Sequence, residues 1–297
     1  MYNKAVNTLN KKRIMKCMAI IVLIFLLVLF IMCEVRRSKF SLTVSNYSIK
    51  SDKISNTIRI VQLSDLHNSV FGNDNERLIE TVKNQSPDII LLTGDMLNSN
   101  TGDLDIATDL IKEISLIAPV YCSYGNHEQQ YEKNYKVDIS SSFEASGATM
   151  LEKEYVDLVV KGQKIRIGGI GGYCLPEKYG SESIKEECNF LKKFQNTDAY
   201  TILMAHMPVC WIKNDGINEW NIDCVFSGHA HGGEVILPIV GGVYAPDMGW
   251  FPGRLQGLYY SDNHTKVLVL SRGLGTKEIV PRFNNVPEVV RVDISSQ

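Results

Sequence analysis

Ile58-Arg-Ile-Val-Gln-Leu-Ser-Asp-Leu-His67 opens on an apolar run rich in β-branched residues and closes on a carboxylate and an imidazole. The run predicts a buried strand, and residues two apart on an extended chain share one side. Asp65 and His67 can therefore reach one metal ion from the strand's carboxyl end, where open α/β sheets place their ligand sites. Asp-x-His alone is a common chance pair. Its weight comes from four further fragments of the same chemical kind.

Asp88-Ile-Ile-Leu-Leu-Thr-Gly-Asp95 predicts a second buried strand that opens into a glycine turn. Pro119-Val-Tyr-Cys-Ser-Tyr-Gly-Asn-His-Glu128 predicts a third with the same ending. Apolar residues at helical spacing predict helices over 73–85 and 104–114. Strand, helix, strand, helix, strand is the pattern of a parallel sheet with right-handed crossovers. A helix is expected over 129–145, two strands within 150–170 split at Lys161-Gly162-Gln163, and a helix over 183–194. Tyr200 to His206 is a strand ending on a histidine, and Ile222 to His231 repeats that pattern. Short strands are expected at 234–237, 257–260, 266–270 and 288–294, and one over 40–50 leading into the sheet. The glycine- and proline-rich stretch 238–257 reads as an ordered loop over the site. Its Tyr244, Trp250 and Phe251 suit a pocket lining, a membrane-facing rim or packing on the sheet.

The 297 residues are 44% apolar and 22% charged, without repeats or low-complexity segments, and one large α/β domain accounts for them. Met1 to Lys16 carries five basic residues and no acid, and Cys17 to Cys33 carries no charge at all. Counted from Ile14, with Lys16 snorkelling, the apolar run is long enough for a membrane span over 14–33. No small-x-small cleavage site follows it, so an uncleaved anchor is expected, with 1–16 a basic cytoplasmic leader and 34–56 juxtamembrane. Arg36, Arg37 and Lys39 beyond the span leave a modest positive-inside bias toward a catalytic part outside the cell. Residues 1–53 hold ten basic and two acidic side chains, whereas 54–297 hold 21 and 31. A soluble part that acidic argues against nucleic acid as a partner. Seven cysteines without Cys-x-x-Cys spacing suggest no zinc knuckle, and the five beyond the span read as mostly buried thiols. Free thiols sit awkwardly with an oxidising exterior.

The strand ends collect Asp65-Leu-His67, Gly94-Asp95, Gly125-Asn-His-Glu128, His206 and Gly228-His-Ala-His231. Five of the six histidines lie in this set, and only His264, in a Ser-Asp-Asn-His turn, lies outside. In type, order and spacing the fragments resemble the calcineurin-like metallophosphoesterase superfamily over about residues 57–295, within an expected metallophosphoesterase domain of 57–297. Within it the chain resembles the membrane-anchored bacterial branch, given the apolar helix and the segments Gly228 to Gly233, Ser271 to Gly275 and Arg282-Phe-Asn284. The resemblance implies a four-layer α/β/β/α sandwich. It implies that Asp65, His67 and His231 hold one divalent ion, that Asn126, His206 and His229 hold a second, and that Asp95 bridges them. Nitrogen and oxygen ligands without thiolate suit Mn, Fe or Zn. Such a pair would neutralise a phosphoryl group and supply a bridging hydroxide for direct in-line attack.

The resemblance makes His127 the general acid, or charge stabiliser, at the leaving-group oxygen. Related phosphatases carry Gly-Asp-x-x-Asp, whose last carboxylate supports that histidine; here the segment is Gly94-Asp-Met-Leu-Asn98. An amide cannot charge the imidazole as a carboxylate does. The expectation is weaker leaving-group protonation and substrates such as phosphoanhydrides. Asn98 and Glu128 are expected to stand behind the ligands without touching metal. Arg254, Arg272 and Arg282 are candidates for holding substrate phosphate, since a planar fork suits it. The reading is a membrane-anchored phosphohydrolase acting on a phosphorylated small molecule, nucleotide or lipid-linked substrate. The alternative is a silent envelope-binding protein of the same fold, and a nuclease is disfavoured by charge and anchor.

Overall fold

The computed structural model describes residues 2–175, 185–276 and 281–297. A single helix, α1 (Tyr2–Phe40), precedes the body. Its apolar side chains from Ile14 to Met32 stand exposed. It is long and apolar enough to cross a membrane by length and composition.

The body is built on two six-stranded sheets. The first runs in the order β1 (Thr43–Lys50), β15 (Glu288–Ser295), β2 (Ile58–Leu63), β3 (Ile89–Leu92), β4 (Val120–Cys122), β5 (Ala148–Met150). The second runs β13 (Gly257–Tyr260), β14 (Val267–Leu270), β9 (Cys224–Ser227), β8 (Tyr200–Ala205), β7 (Gln163–Ile170), β6 (Glu154–Val160). Strand alternation explains how they stack. Ile58, Ile60, Ile89, Leu91, Val290 and Val292 point one way and meet Ile202, Met204, Phe226 and Val269 of the other sheet in one core. Val61, Leu63, Ile90 and Leu92 point the other way, onto α2 (Glu76–Asn84), α3 (Asp105–Ser115) and α5 (Ile139–Ala145). Leu203, Val225 and Leu268 likewise cover α6 (Lys185–Phe194) and the short helices around Trp211. Four layers result, α/β/β/α, as the resemblance implied.

Three expectations need correcting. The single helix over 129–145 is two, α4 (Asn126–Tyr135) and α5, because Lys136 takes a left-handed φ of 57° and ends the first. The helix expected over 73–85 begins only at Glu76, after left-handed Asp74 and Asn75. The supposed loop over 238–257 holds two strands. With β10 (Ile236–Leu237), β11 (Gly241–Ala245) and β12 (Gly249–Gly253) form an antiparallel three-stranded sheet. Glycine content hid that pairing, since glycine weakens any strand signal. Of the helix expected over 183–194, positions 183–184 lie outside the described residues.

Candidate metal centre

β2, β3 and β4 are parallel neighbours, as are β8 and β9, so all five strands that carry the fragments direct their carboxyl ends to one edge of the sandwich. The loops beyond them are laced by backbone bonds: Asp65 N–H to Gly94 O, His67 N–H to Asp95 O, and Gly275 N–H to Asp65 O. Two glycines permit the approach. A Cβ at Gly125 would lie 2.2 Å from Asp95 Oδ1, and one at Gly228 would lie 2.0 Å from Ser64 Oγ.

Asp65, His67 and His231 form one group and Asp95, His206 and His229 another; within each, the ligand atoms lie within 4.8 Å of one another. Asp95 Oδ2 stands between them, 3.8 Å from His67 Nε2 and 3.2 Å from His206 Nε2. His67 Nε2 and His231 Nε2 are 3.2 Å apart, and His231 Nε2 is 3.5 Å from Asp65 Oδ1. Among the described residues, buried Asp95 Oδ2, Asn126 Oδ1, His206 Nε2 and both ring nitrogens of His229 find no hydrogen-bond partner beyond the imidazole–carboxylate contacts at 3.2–3.3 Å. Leaving such atoms unpaired costs about 1–3 kcal/mol each. A pair of divalent cations fits them, since oxygen and imidazole lone pairs converge with no thiolate among them.

The rings are held in the tautomer a metal requires. His206 Nδ1–H donates to Thr93 O at 2.8 Å, and His67 Nδ1–H faces Asn98 Oδ1 at 3.1 Å, so the neutral form of each ring has its lone pair on Nε2. Burial disfavours charge on Asp65, Asp95, His206 and His231. At Asp95 the neighbouring His206 and His67 overcome it and hold the carboxyl well below its usual range. Burial also works against a charged His206, but Asp95 and Asp65 push its pKa up to about 9. Burial, then His67 and Arg282, push His231 down. Asp65 is raised by burial.

Five of the seven residues expected as ligands carry left-handed backbone: Asp65 (φ 52°), His67 (47°), Asp95 (53°), His229 (65°) and His231 (48°). Such conformations cost about 1–3 kcal/mol each and gather at functional sites.

Asn98 and Glu128 both lie behind ligand residues, but Asn98 does so at a different histidine from the one expected. Asn98 serves His67, by the contact above and by donating Nδ2–H to His67 O at 2.9 Å, and is not the partner of the His127 ring. His127 Nδ1 instead accepts the Ser99 N–H at 3.1 Å. Glu128, fully buried at the start of α4, accepts the N–H groups of Asp95, Met96 and Gly125 at 2.7–2.8 Å. It clamps the Gly94 and Gly125 loops together.

Two of the three arginines are engaged in holding loops. Arg272 pairs with buried Glu288 at 3.1 Å, and Arg282 Nε and Nη2 donate to Gly275 O and Arg272 O. Arg254 makes no side-chain bond to the ligands among the described residues. One residue went unforeseen: Asp247, whose Oδ2 lies 3.3 Å from His229 Nε2 and accepts from Tyr173 Oη at 3.0 Å. It follows β11 in the glycine-rich stretch, where no sequence pattern marks it.

Comparison with known proteins points the same way. The profile described as "Calcineurin-like phosphoesterase" matches residues 58–233. The chain is 27% identical over 272 residues to an "Uncharacterized metallophosphoesterase" of Aquifex aeolicus, covering 87% of this chain and 94% of that one. It is 28% identical over 263 residues to the metallophosphoesterase YkuE of Bacillus subtilis, 85% of each. "Phosphodiesterase YaeI" of Escherichia coli is 24% identical over 247 residues, 80% of this chain and 82% of that one.

Proposed function

The chain belongs to the calcineurin-like phosphoesterase family and is a metal-dependent phosphoesterase, and from that premise we propose a membrane-anchored hydrolase of phosphodiesters or phosphoanhydrides carried by lipid-linked or envelope substrates. Residues 14–33 would be the anchor, 1–16 its cytoplasmic leader, 34–56 the connection, and 57–297 the catalytic domain outside the cell. Asp65, His67 and His231 would hold one divalent ion, Asn126, His206 and His229 the second, and Asp95 both. When bound, such ions activate a water and neutralise phosphoryl oxygens.

The chain's own residues do the rest. A ring nitrogen that accepts a peptide N–H carries no proton, so a neutral His127 presents Nε2–H, the donor for the departing oxygen. Thr93 O and Asn98 fix the rings of His206 and His67. Glu128 fixes the loop of Asp95. Because Asn98 serves His67, its neutrality gives no reason to prefer anhydrides. The E. coli relative's name favours diesters.

The convergence of buried, unpaired oxygen and imidazole atoms on one spot carries this reading. Its test is hydrolysis of bis(p-nitrophenyl) phosphate by the full chain with Mn²⁺, before and after chelation. Metal-dependent turnover supports it; stoichiometric metal uptake without turnover of diesters or anhydrides leaves the silent binding protein.

A further inference from the structure

We propose that the β10–β12 sheet docks into the same bilayer leaflet that α1 enters, so that the metal centre faces the headgroup layer. This rests on the anchored-phosphohydrolase reading and deepens it, because a site so placed draws its phosphoester from the membrane surface.

β1 leaves α1 at Thr43 and runs parallel to β15, and β2 runs antiparallel to β15 with Gln62 opposite Val290. The carboxyl end of β2, where Asp65 sits, therefore shares an edge with the starts of β1 and β15. The metal centre and the foot of α1 lie on the same rim of the sandwich. A cleft of about 200 Å³ between Ser38–Phe40 and Ser69–Val70 opens there too.

Contacts then fix how deep the body reaches. Asn285 N–H donates to buried Ser38 Oγ at 3.2 Å, and the rings of Phe283 and Phe30 meet edge-on with centroids 6.4 Å apart. Eight residues of helix separate those two points, about 12 Å. Phe30 lies inside the charge-free run that ends at Cys33. A body residue packed on Phe30 is thus level with the apolar part of the helix. Phe283 is tied directly to the three-stranded sheet: Ile236 N–H donates to Phe283 O at 3.0 Å, and Asn284 Nδ2–H to Ile236 O.

That sheet presents the apolar surface such a position demands. Leu237, Ile239, Val240, Tyr244, Trp250 and Phe251 are all exposed, Ile239 fully and Trp250 by 71%. Tyr244 and Trp250 are cross-strand partners with rings 5.2 Å apart. Trp and Tyr favour the membrane–water boundary, and aliphatic residues favour the acyl chains beneath it. Linked to α1 through Phe283, these exposed apolar residues extend the surface that the helix would give to lipid.

The chain supplies its own probe. Of its three tryptophans, Trp211 and Trp220 are buried and only Trp250 is exposed. The full chain is reconstituted in phosphatidylcholine vesicles with bromine at the upper or the lower acyl carbons. Docking predicts that upper-chain bromine quenches part of the emission, that lower-chain bromine quenches less, and that Trp250→Phe removes the effect. It also predicts that an Ile239→Asp, Val240→Asp double variant loses most of the quenching, and that its turnover of a phosphodiester lipid falls about tenfold relative to bis(p-nitrophenyl) phosphate. Equal emission in brominated and plain vesicles overturns the proposal. So does a blue-shifted Trp250 indifferent to bromine, in chains that cross-link as dimers, which assigns the face to a second copy. Alkaline carbonate extraction of the same vesicles separates the readings: release of the chain overturns anchor and docking together, while retention without quenching overturns docking alone. Quenching without hydrolysis of either ester supports docking and overturns the phosphohydrolase.

Discussion

One added methyl group at Gly125 asks whether Asp95 is held where a bridging ligand must stand. Gly125 has extended backbone (φ −101°, ψ −175°), open to alanine, so Gly125→Ala acts by bulk alone. The new Cβ would sit 2.2 Å from Asp95 Oδ1 and 2.5 Å from Asp95 N, where ordinary contact begins at 3.4 Å. Relief requires Asp95 to move by about 1.2 Å. Side-chain rotation cannot supply this, because the clash includes the backbone nitrogen, whose N–H is held by Glu128 Oε2 at 2.8 Å. Overpacking of this kind costs about 1–3 kcal/mol of stability. Disturbing the geometry around a ligand lowers metal affinity about 10- to 100-fold, and an ångström of misplacement lowers turnover about 100-fold. Gly162→Ala is the control: at φ +81° it strains the backbone by about 1–2 kcal/mol, yet nothing lies within 4 Å of its Cβ. Mn²⁺ titration calorimetry, elemental stoichiometry and thermal melts on both variants separate the two effects. Uptake of two equivalents of Mn²⁺ by Gly125→Ala at wild-type affinity, or an equal loss of metal by Gly162→Ala, would refute a constrained Asp95.

Other outcomes follow from the same geometry. His127→Asn should keep full metal uptake but lose about 100-fold in kcat on alkyl diesters and far less on p-nitrophenyl diesters, whose leaving group needs no proton; equal losses on both would remove His127 from that role. Glu152 is desolvated by burial, only partly offset by the Gly171 N–H, which pushes its carboxyl up to about 7. A carboxyl raised in the folded state stabilises below its unfolded pKa and loses that contribution as pH rises through about 7. Glu152→Gln should therefore raise the urea midpoint at pH 8 by the equivalent of about 1–3 kcal/mol and change little at pH 4.5; an unchanged pH slope would contradict this. Cys174 and Cys210 are buried with sulfurs 2.7 Å apart, inside non-bonded contact. If the domain lies outside the cell, material prepared without reductant should yield a Cys174–Cys210 cross-linked peptide by mass spectrometry, and complete alkylation of both thiols would count against that location.

The fragments of the centre were legible because each ends a buried strand, so apolar runs announced where Asp65, Asp95, His127, His206 and His231 would surface. What stayed hidden depends on contacts between distant segments. The amide of Asn98 had no reason in sequence to choose His67 over His127, since that choice depends on how the 64–68 and 94–99 loops cross. Arg272 and Arg282 look like phosphate ligands until Glu288 and the carbonyls of 272–275 are brought to them. The sheet of 241–253 gave no alternation to read, and Asp247 sits at its turn. Nor does any residue type predict that Asp65, His67, Asp95, His229 and His231 would adopt left-handed backbone, a conformation imposed by the lacing of the loops around them.

β1 and β15 lie side by side over eight residue pairs and point the same way, yet the chain enters one at its start and leaves the other at its end. A pull between α1 and the residues after Ser295 would drag the two strands lengthwise past each other. Ladder bonds loaded in that sense resist together, whereas a pull at one shared end would peel them in turn. If α1 is the anchor proposed above, the body is joined to it in the orientation that withstands tension best.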